Sequence, residues 1–418
     1  MKKIPVLALL LSAPAFAQGE SPAVPDNTHV VQAGPTAPVD DAAARARAIA
    51  MASRAESYLR SQQDASGGWG IRPGAPVFPA ITGLVLQGML LEPARSEGDP
   101  AVAKAVAFVL SKQQENGGIY DQILPSYNTA ICASALSKIG TAEAKEAVKR
   151  ALAFLRSIQN GEAAIAHAEL GENADAVSPD HPFYGGIGYG RHGRPDLSNT
   201  AFWIEALHDC GVEPGDPAFQ RALVFLQRTQ MLETAGTLKV NDMSYAKGSR
   251  QGGFIYSTSV NRDEQGAGQS NAPMMDETLS DGTVASRLRC YGSMTYAGFK
   301  SYLYAGLKKD DPRVIAARDW IAANYTLEEN PGVGTDGLYY YFLVFTKAMS
   351  AFGEPTITAV DAEGTTTKRR WKTDLVHRLA SLQNEDGSFR SVDDRWMEND
   401  PVLITAYALI ALRQASQP

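Results

Sequence analysis

The sequence predicts an all-α fold, a toroid of two concentric helix rings built from six helix-pair repeats. Three observations carry that expectation. One motif recurs along the chain at fixed spacing, each copy is preceded by a helical-period segment with one charged face, and each is followed by a segment apolar nearly all round. Amphipathic helices alternating with fully buried ones are most simply arranged as an outer ring around an inner ring, each closing on itself.

The first forty residues stand apart from that pattern. Lys2 and Lys3 precede the apolar stretch Ile4 to Leu11, and Ala15-Phe16-Ala17 is an A-x-A cleavage site, so residues 1–17 read as a secretory signal peptide. Residues 18–40, rich in Pro and Ala and without helical period, read as a flexible linker, and 41–418 as a single toroid. The mature protein is expected to be secreted or periplasmic. No transmembrane anchor is expected either, because no other run approaches the roughly 20 apolar residues that span a bilayer. With 39 basic against 46 acidic residues, a net charge of −7 and no basic block to follow a phosphate backbone, nucleic acid is not an expected partner. Cys132, Cys210 and Cys290 allow at most one disulfide and read most simply as small buried side chains.

The motif runs basic residue, Ala, aromatic, aliphatic, Gln, Gly, bulky residue. Its first copy is Arg54, Ala55, Tyr58, Leu59, Gln63, Gly67, Trp69, and its second, with identical spacing, is Lys104, Ala105, Phe108, Val109, Gln113, Gly117, Ile119. The third begins Arg150, Ala151, Phe154, Leu155, Gln159 and the fourth Arg221, Ala222, Phe225, Leu226, Gln230. In both the glycine comes late, at Gly185-Gly186 and Gly252-Gly253, which marks long insertions at about 160–184 and 231–290. A degenerate fifth copy is Trp320, Ile321, Tyr325, and the sixth reads Leu379, Gln383, Gly387, Phe389. Asp41 to Ser61 is the first outer helix; the inner ones are Ile81 to Leu91, Thr129 to Leu136, Thr200 to Leu207, Tyr296 to Leu307, Leu338 to Met349 and Val402 to Leu412.

This motif is similar to the QW repeat of squalene-hopene and oxidosqualene cyclases, and the likeness spans roughly residues 41–413. The resemblance implies an (α/α)6 barrel in which Gln63 with Trp69 and Gln113 with Ile119 staple neighbouring outer helices. In class II cyclases of that superfamily, the middle Asp of a D-x-D-D-T-A motif at the start of an inner helix protonates an alkene or epoxide. The matching stretch here is Asp196-Leu197-Ser198-Asn199-Thr200-Ala201, with Ser198 in the place of the proton donor and Asn199 in that of the third carboxylate. A serine hydroxyl cannot start carbocation chemistry, so the resemblance implies a cyclase-like cavity without the family's acid. Protein prenyltransferase β-subunits share the toroid and bind zinc through an Asp, a Cys and a His, an arrangement the three cysteines do not form here; no metal and no cofactor is expected.

Each connection from a repeat glycine ends at an inner-helix N-terminus, so all six inner N-termini open on one face, which the two insertions must cover. That face is expected to offer unpaired amides and partial positive charge. Its candidate ligand-binding residues are Tyr127, Tyr189, His192, Asp196, Ser198, Asn199, Tyr291, Tyr296, Tyr339 and Trp396, an aromatic lining with polar handles for an apolar or amphipathic, isoprenoid-like small molecule. Two other readings stay open. A glycan-active lyase or hydrolase would use paired carboxylates, with Asp196, Asp393 and Asp400 as candidate catalytic residues; a protein-binding module with no chemistry would use the long insertions. The opposite face should carry only short links, such as 140–143 and 211–216.

Overall fold

Twelve α-helices run through the described residues in the order α1 (Asp41–Ser61), α2 (Pro79–Leu90), α3 (Pro100–Ser111), α4 (Pro125–Leu136), α5 (Ala142–Ser157), α6 (Leu197–Asp209), α7 (Pro217–Thr229), α8 (Gly292–Tyr304), α9 (Pro312–Ala323), α10 (Leu338–Phe352), α11 (Trp371–Leu382) and α12 (Pro401–Ala415). The computed structural model describes residues 41–71, 76–162, 165–167, 172–174, 176–190 and 194–418. The signal peptide and linker expected over 1–40 lie outside them, as does His192.

The even-numbered helices are buried along nearly their whole length, and each packs on the next, α2 on α4 through to α10 on α12 and α12 back on α2. That closes the inner ring. Outside it, α3, α5, α7 and α9 lie against α2, α4, α6 and α8, while α1 and α11 lie against α12. The core therefore sits between two rings, as the alternation of amphipathic and all-apolar segments requires. Proline at the first turn of α2, α3, α4, α7, α9 and α12 presets the helical φ where no amide partner is needed.

The chain is not purely helical. Two-stranded antiparallel hairpins decorate the rings: β1 (Ile165–His167) with β2 (Glu172–Ala174), β3 (Thr234–Ala235) with β4 (Leu238–Lys239), β5 (Ser257–Ser259) with β6 (Gln265–Gln269), β7 (Met275–Thr278) with β8 (Val284–Arg287), and β9 (Ile357–Val360) with β10 (Thr366–Arg369). Three of the five fold the 231–290 insertion, which satisfies its backbone locally without adding to the rings.

The repeated glutamine joins each outer helix to the next. Gln63, Gln113, Gln159, Gln230 and Gln383 each donate Nε2 to two carbonyls, one on the glycine of their own turn and one on the next outer helix, in its first turn for Gln63, Gln159 and Gln230, on Ala147 of α5 for Gln113 and on Met51 of α1 for Gln383; the distances are 2.8–3.1 Å. The glycine is needed for a second reason. Gly67 and Gly387 have φ of +94° and +85°, and a Cβ on either would stand 2.5 and 2.4 Å from the carbonyl oxygens of Lys104 and Arg54 in the neighbouring repeat. The degenerate fifth copy lacks the glutamine, and there the Tyr325 hydroxyl spans the joint instead, donating to Asp374 Oδ2 of α11 at 2.8 Å.

A second staple joins each turn to its inner helix. The amides of Trp69, Ile119, Ile187, Phe254 and Phe389 donate to the hydroxyls of Thr82, Thr129, Thr200, Thr295 and Thr405 at 2.8–3.1 Å. Thr200 is thus one of five equivalent structural threonines, which accounts for its place in the DLSNTA stretch without any chemistry.

Candidate functional site

The threonine fixes the register of every inner helix, and with it the side chains that meet on the axis. Two positions before it stand Tyr127 and Ser198, joined on α10, where Phe342 replaces the threonine, by Tyr340; two positions after it stand Phe202 and Tyr407. Tyr127 meets Phe202 edge-on at 5.2 Å between ring centres, Phe202 meets Tyr340 at 6.1 Å and Tyr340 meets Tyr407 at 6.2 Å. The Tyr127 and Tyr407 hydroxyls are 3.5 Å apart, and Tyr189, from the connection before α6, sets its ring 6.3 Å from Tyr127. Tyr127, Tyr189, Tyr256 and Tyr340 each keep part of their surface uncovered, yet burial pushes all four hydroxyls above the ordinary tyrosine value. Surface that is uncovered but so deep faces an internal space.

At one edge of that space Asp196 caps α6. It is 0% exposed; Oδ1 accepts from the Asn199 amide at 2.9 Å and from Ser198 Oγ at 3.0 Å, and Oδ2 accepts from Asn199 Nδ2 at 2.8 Å. Burial raises its carboxyl above the ordinary aspartate value, and the Asn199 donors, the charge of Arg194 and Ser198 oppose that shift without cancelling it. Arg194 itself donates to the Ser259 carbonyl at 3.1 Å and to Gln269, with its guanidinium 5.4 Å from the Tyr256 ring centre. Only the NH2 of Asn199 can face a carboxylate, so its orientation is set, and its Oδ1 is left buried with no donor. The Tyr340 hydroxyl is also buried without a partner. Each such atom costs about 1–3 kcal/mol.

On five of the six inner helices side chains take some of the amides expected to be open at the N-termini, whereas the N-cap residue of α4 makes no such bond. The Asn128 carbonyl accepts from Ala80 on α2, Asp196 from Asn199 on α6, Asn330 from Ser293 on α8, Glu398 from Tyr339 and Tyr340 on α10, and Asp400 from Leu403 on α12. Three of these caps are carboxylates, and Asp196, Glu398 and Asp400 are all buried. Glu398 is pushed up to about 7, chiefly by burial, against the pull of the α10 amides.

The structure brings Tyr127, Tyr189, Asp196, Ser198 and Asn199 together as the sequence predicts. Tyr291 joins them at the N-cap of α8, where its hydroxyl takes a 2.9 Å hydrogen bond from Asn271. Three expected residues lie elsewhere. Tyr296 follows its threonine by one position, about 100° round the helix, and so packs into the seam between α8 and α10 against Tyr341 and Phe345. Tyr339 packs on Phe342 and Phe389, with its hydroxyl on the Arg390 carbonyl. Trp396 is 44% exposed, in a left-handed backbone conformation, stacked under Arg395 at 4.5 Å and close against Gly337. Of the candidate carboxylates, Asp400 is a helix cap and Asp393 accepts from the Arg395 amide within its own loop. Phe202, Tyr256, Tyr340 and Tyr407 are outside the expected set; counting from the threonine, or from Phe342 at its place on α10, finds all but Tyr256.

The other end of the axis is charged. Five positions after the threonine stand Gln87, Ser134, Glu205 and Lys300, with Lys347 at the matching place on α10. Glu205, 3% exposed, accepts from both Lys300 Nζ and Lys347 Nζ; Lys347 also donates to Gln87 Oε1 at 3.0 Å, and Ser134 donates to Asp209. Burial alone would raise the Glu205 carboxyl, but the two ammonium groups outweigh it and hold it below the ordinary glutamate value. For Lys300 burial wins, and its ammonium lies below the ordinary lysine value. All three cysteines are free thiols, Cys132 and Cys290 buried and Cys210 part-buried.

The stapled double ring around an aromatic space is an (α/α)6 toroid. Comparison with known proteins agrees with that class: the squalene-hopene cyclase C-terminal domain family matches residues 74–239. A variant of the type II terpene cyclase MstE from Scytonema, in complex with its product merosterolic acid A, superposes with a TM-score of 0.50 at 14% identity, over 90% of this chain and 99% of that one. Another MstE variant, in complex with its substrate geranylgeranyl dihydroxybenzoate, gives 0.50 at 13% identity over the same shares of the two chains. These likenesses concern the fold. No curated protein matches the sequence. No helix among the described residues is long and apolar enough to cross a membrane.

Proposed function

We propose that the protein binds an apolar, isoprenoid-like chain in the space walled by Tyr127, Tyr189, Phe202, Tyr256, Tyr340 and Tyr407, and that it does so after export through its N-terminal signal sequence. The observation that carries the reading is the set of partly uncovered rings deep inside the inner ring, an apolar wall with hydroxyls at its edges. MstE variants hold a geranylgeranyl compound and its cyclised product on a related fold, which makes a linear isoprenoid a natural occupant. Alkene protonation in the class II manner is not part of this function. Ser198 stands where that acid belongs, and the nearby Asp196 is wholly buried and turned into its own helix cap. The test is saturable binding of geranylgeraniol to the purified mature protein, followed by calorimetry, together with incubation with squalene. Saturable binding and no hopene are expected; absence of binding overturns the first claim and hopene formation the second.

A further inference from the structure

The cavity's polar edge has one chemical character. Asn199 Oδ1 is a buried acceptor with no donor. Ser198 Oγ spends its proton on Asp196 Oδ1, so its lone pairs are what it offers the space. Behind both lies the Asp196 carboxyl, which makes no ion pair among the described residues. On three of the inner helices buried carboxylates already take amides that would otherwise welcome an anion. Around this edge stand the rings of Tyr127, Tyr189 and Tyr340, whose faces are negative, with the Tyr189 hydroxyl beside Asn199. Among the described residues, a site of unspent acceptors, ring faces and carboxylates, offset by Arg194 and, beside Tyr291, by Arg395, selects a donor that carries positive charge.

We infer that the occupant is an amphiphile whose apolar chain ends in a protonated amine, the ammonium donating to Asn199 Oδ1 and Ser198 Oγ with the charge of Asp196 behind them. This rests on the cavity binding an apolar chain, and it adds the head group. Ser198 and Asn199 touch the ligand; Asp196 is a positioning residue that orients both and supplies charge through them. Tyr340 Oη, also unpaired, is free to donate to a second polar atom of the head.

Three probes with one farnesyl chain separate head from tail: farnesylamine, farnesol and farnesoic acid, each titrated calorimetrically into the mature protein at pH 7 below its critical micelle concentration. The expected order is amine tighter than alcohol by about tenfold or more, with the acid weakest. In Asp196→Asn, where asparagine still caps the helix, the amine-to-alcohol ratio should fall to about two- or threefold. Ser198→Ala should lower the same ratio in a helix whose cap is untouched, so a folding defect in one variant leaves the other to decide. Alcohol and amine bound equally by the wild type, or a ratio unmoved in both variants, overturns the inference while leaving the apolar cavity intact. If none of the three binds, the cavity reading itself fails and the inference with it.

Discussion

Ser198 and Glu205 lie two turns apart on the same face of α6, and they meet opposite solutions to one problem. At the floor the buried carboxylate of Glu205 is paired with two ammonium groups from α8 and α10, with Asp209 near enough to act on both, so three inner helices are tied across the axis. At the mouth the buried carboxylates of Asp196 and Glu398 are satisfied by helix amides instead, which settles their hydrogen bonds but brings no cation. The same kind of group, buried to the same degree, is paired with cations in one place and held by helix amides in the other, where burial raises its carboxyl instead.

The largest test of that contrast is Glu205→Gln. It removes the carboxylate that both Lys300 and Lys347 hold, leaving the more distant Asp209 as their nearest anion, and about 3 kcal/mol of stability should be lost in urea unfolding at pH 7. A loss under about 1 kcal/mol would mean that the floor is not the ionic unit described. Replacing all three residues with apolar ones of similar size should recover part of the loss, because the charge that remains, on Asp209, keeps its bonds to Ser134 and His208.

Glu398 gives the next effect, through pH. Its folded-state value of about 7 lies above the ordinary 4.5, so between those limits the folded chain holds a proton that the unfolded chain has released. Stability therefore falls as pH rises through that window, by an amount on the order of 2–4 kcal/mol from this group, and the full benefit is present only below pH 4.5. Urea midpoints at pH 5 and pH 8 should differ more in the wild type than in Glu398→Gln. Equal differences would place the raised carboxyl elsewhere.

The smallest expected change is Tyr340→Phe. Its hydroxyl is buried without a partner, so removing it should stabilise the unliganded protein, by about 1 kcal/mol, in the same assay. A loss above about 1 kcal/mol would show that the hydroxyl is already spent on the fold.

The rings were legible because their determinants are local and repeated. Gln63, Gly67 and their counterparts act within one turn and on the next repeat, so spacing alone reveals them. The mouth was half legible. Asp196, Ser198 and Asn199 stood out as a motif, but the caps on α2, α8 and α10 come from Asn128, Asn330 and Glu398, partners distant in sequence that no spacing announces. Tyr296 and Tyr339 were misplaced because an aromatic residue in an all-apolar helix carries no sign of direction; Thr295 one position earlier supplies it. The floor was passed over for a related reason. Glu205, Lys300 and Lys347 sit singly in segments read as apolar all round, and a lone charge at one register position in three such helices was the signal available.

Closure of the double ring also bears on chain order. Gln383 of the last repeat reaches Met51 in the first, Arg413 Nη2 pairs with Glu56 at 2.7 Å, and Arg45 Nε holds the Ser416 carbonyl at 2.7 Å. Residues 41 and 418 therefore end beside one another, and the Gln383 joint between them is of the kind that links the first four repeats to their successors. Such a wheel has no first spoke: a circular permutant that bridges 418 to 41 with a short linker and opens instead at the 140–141 turn keeps every staple, whereas linear removal of either terminal repeat breaks two joints at once.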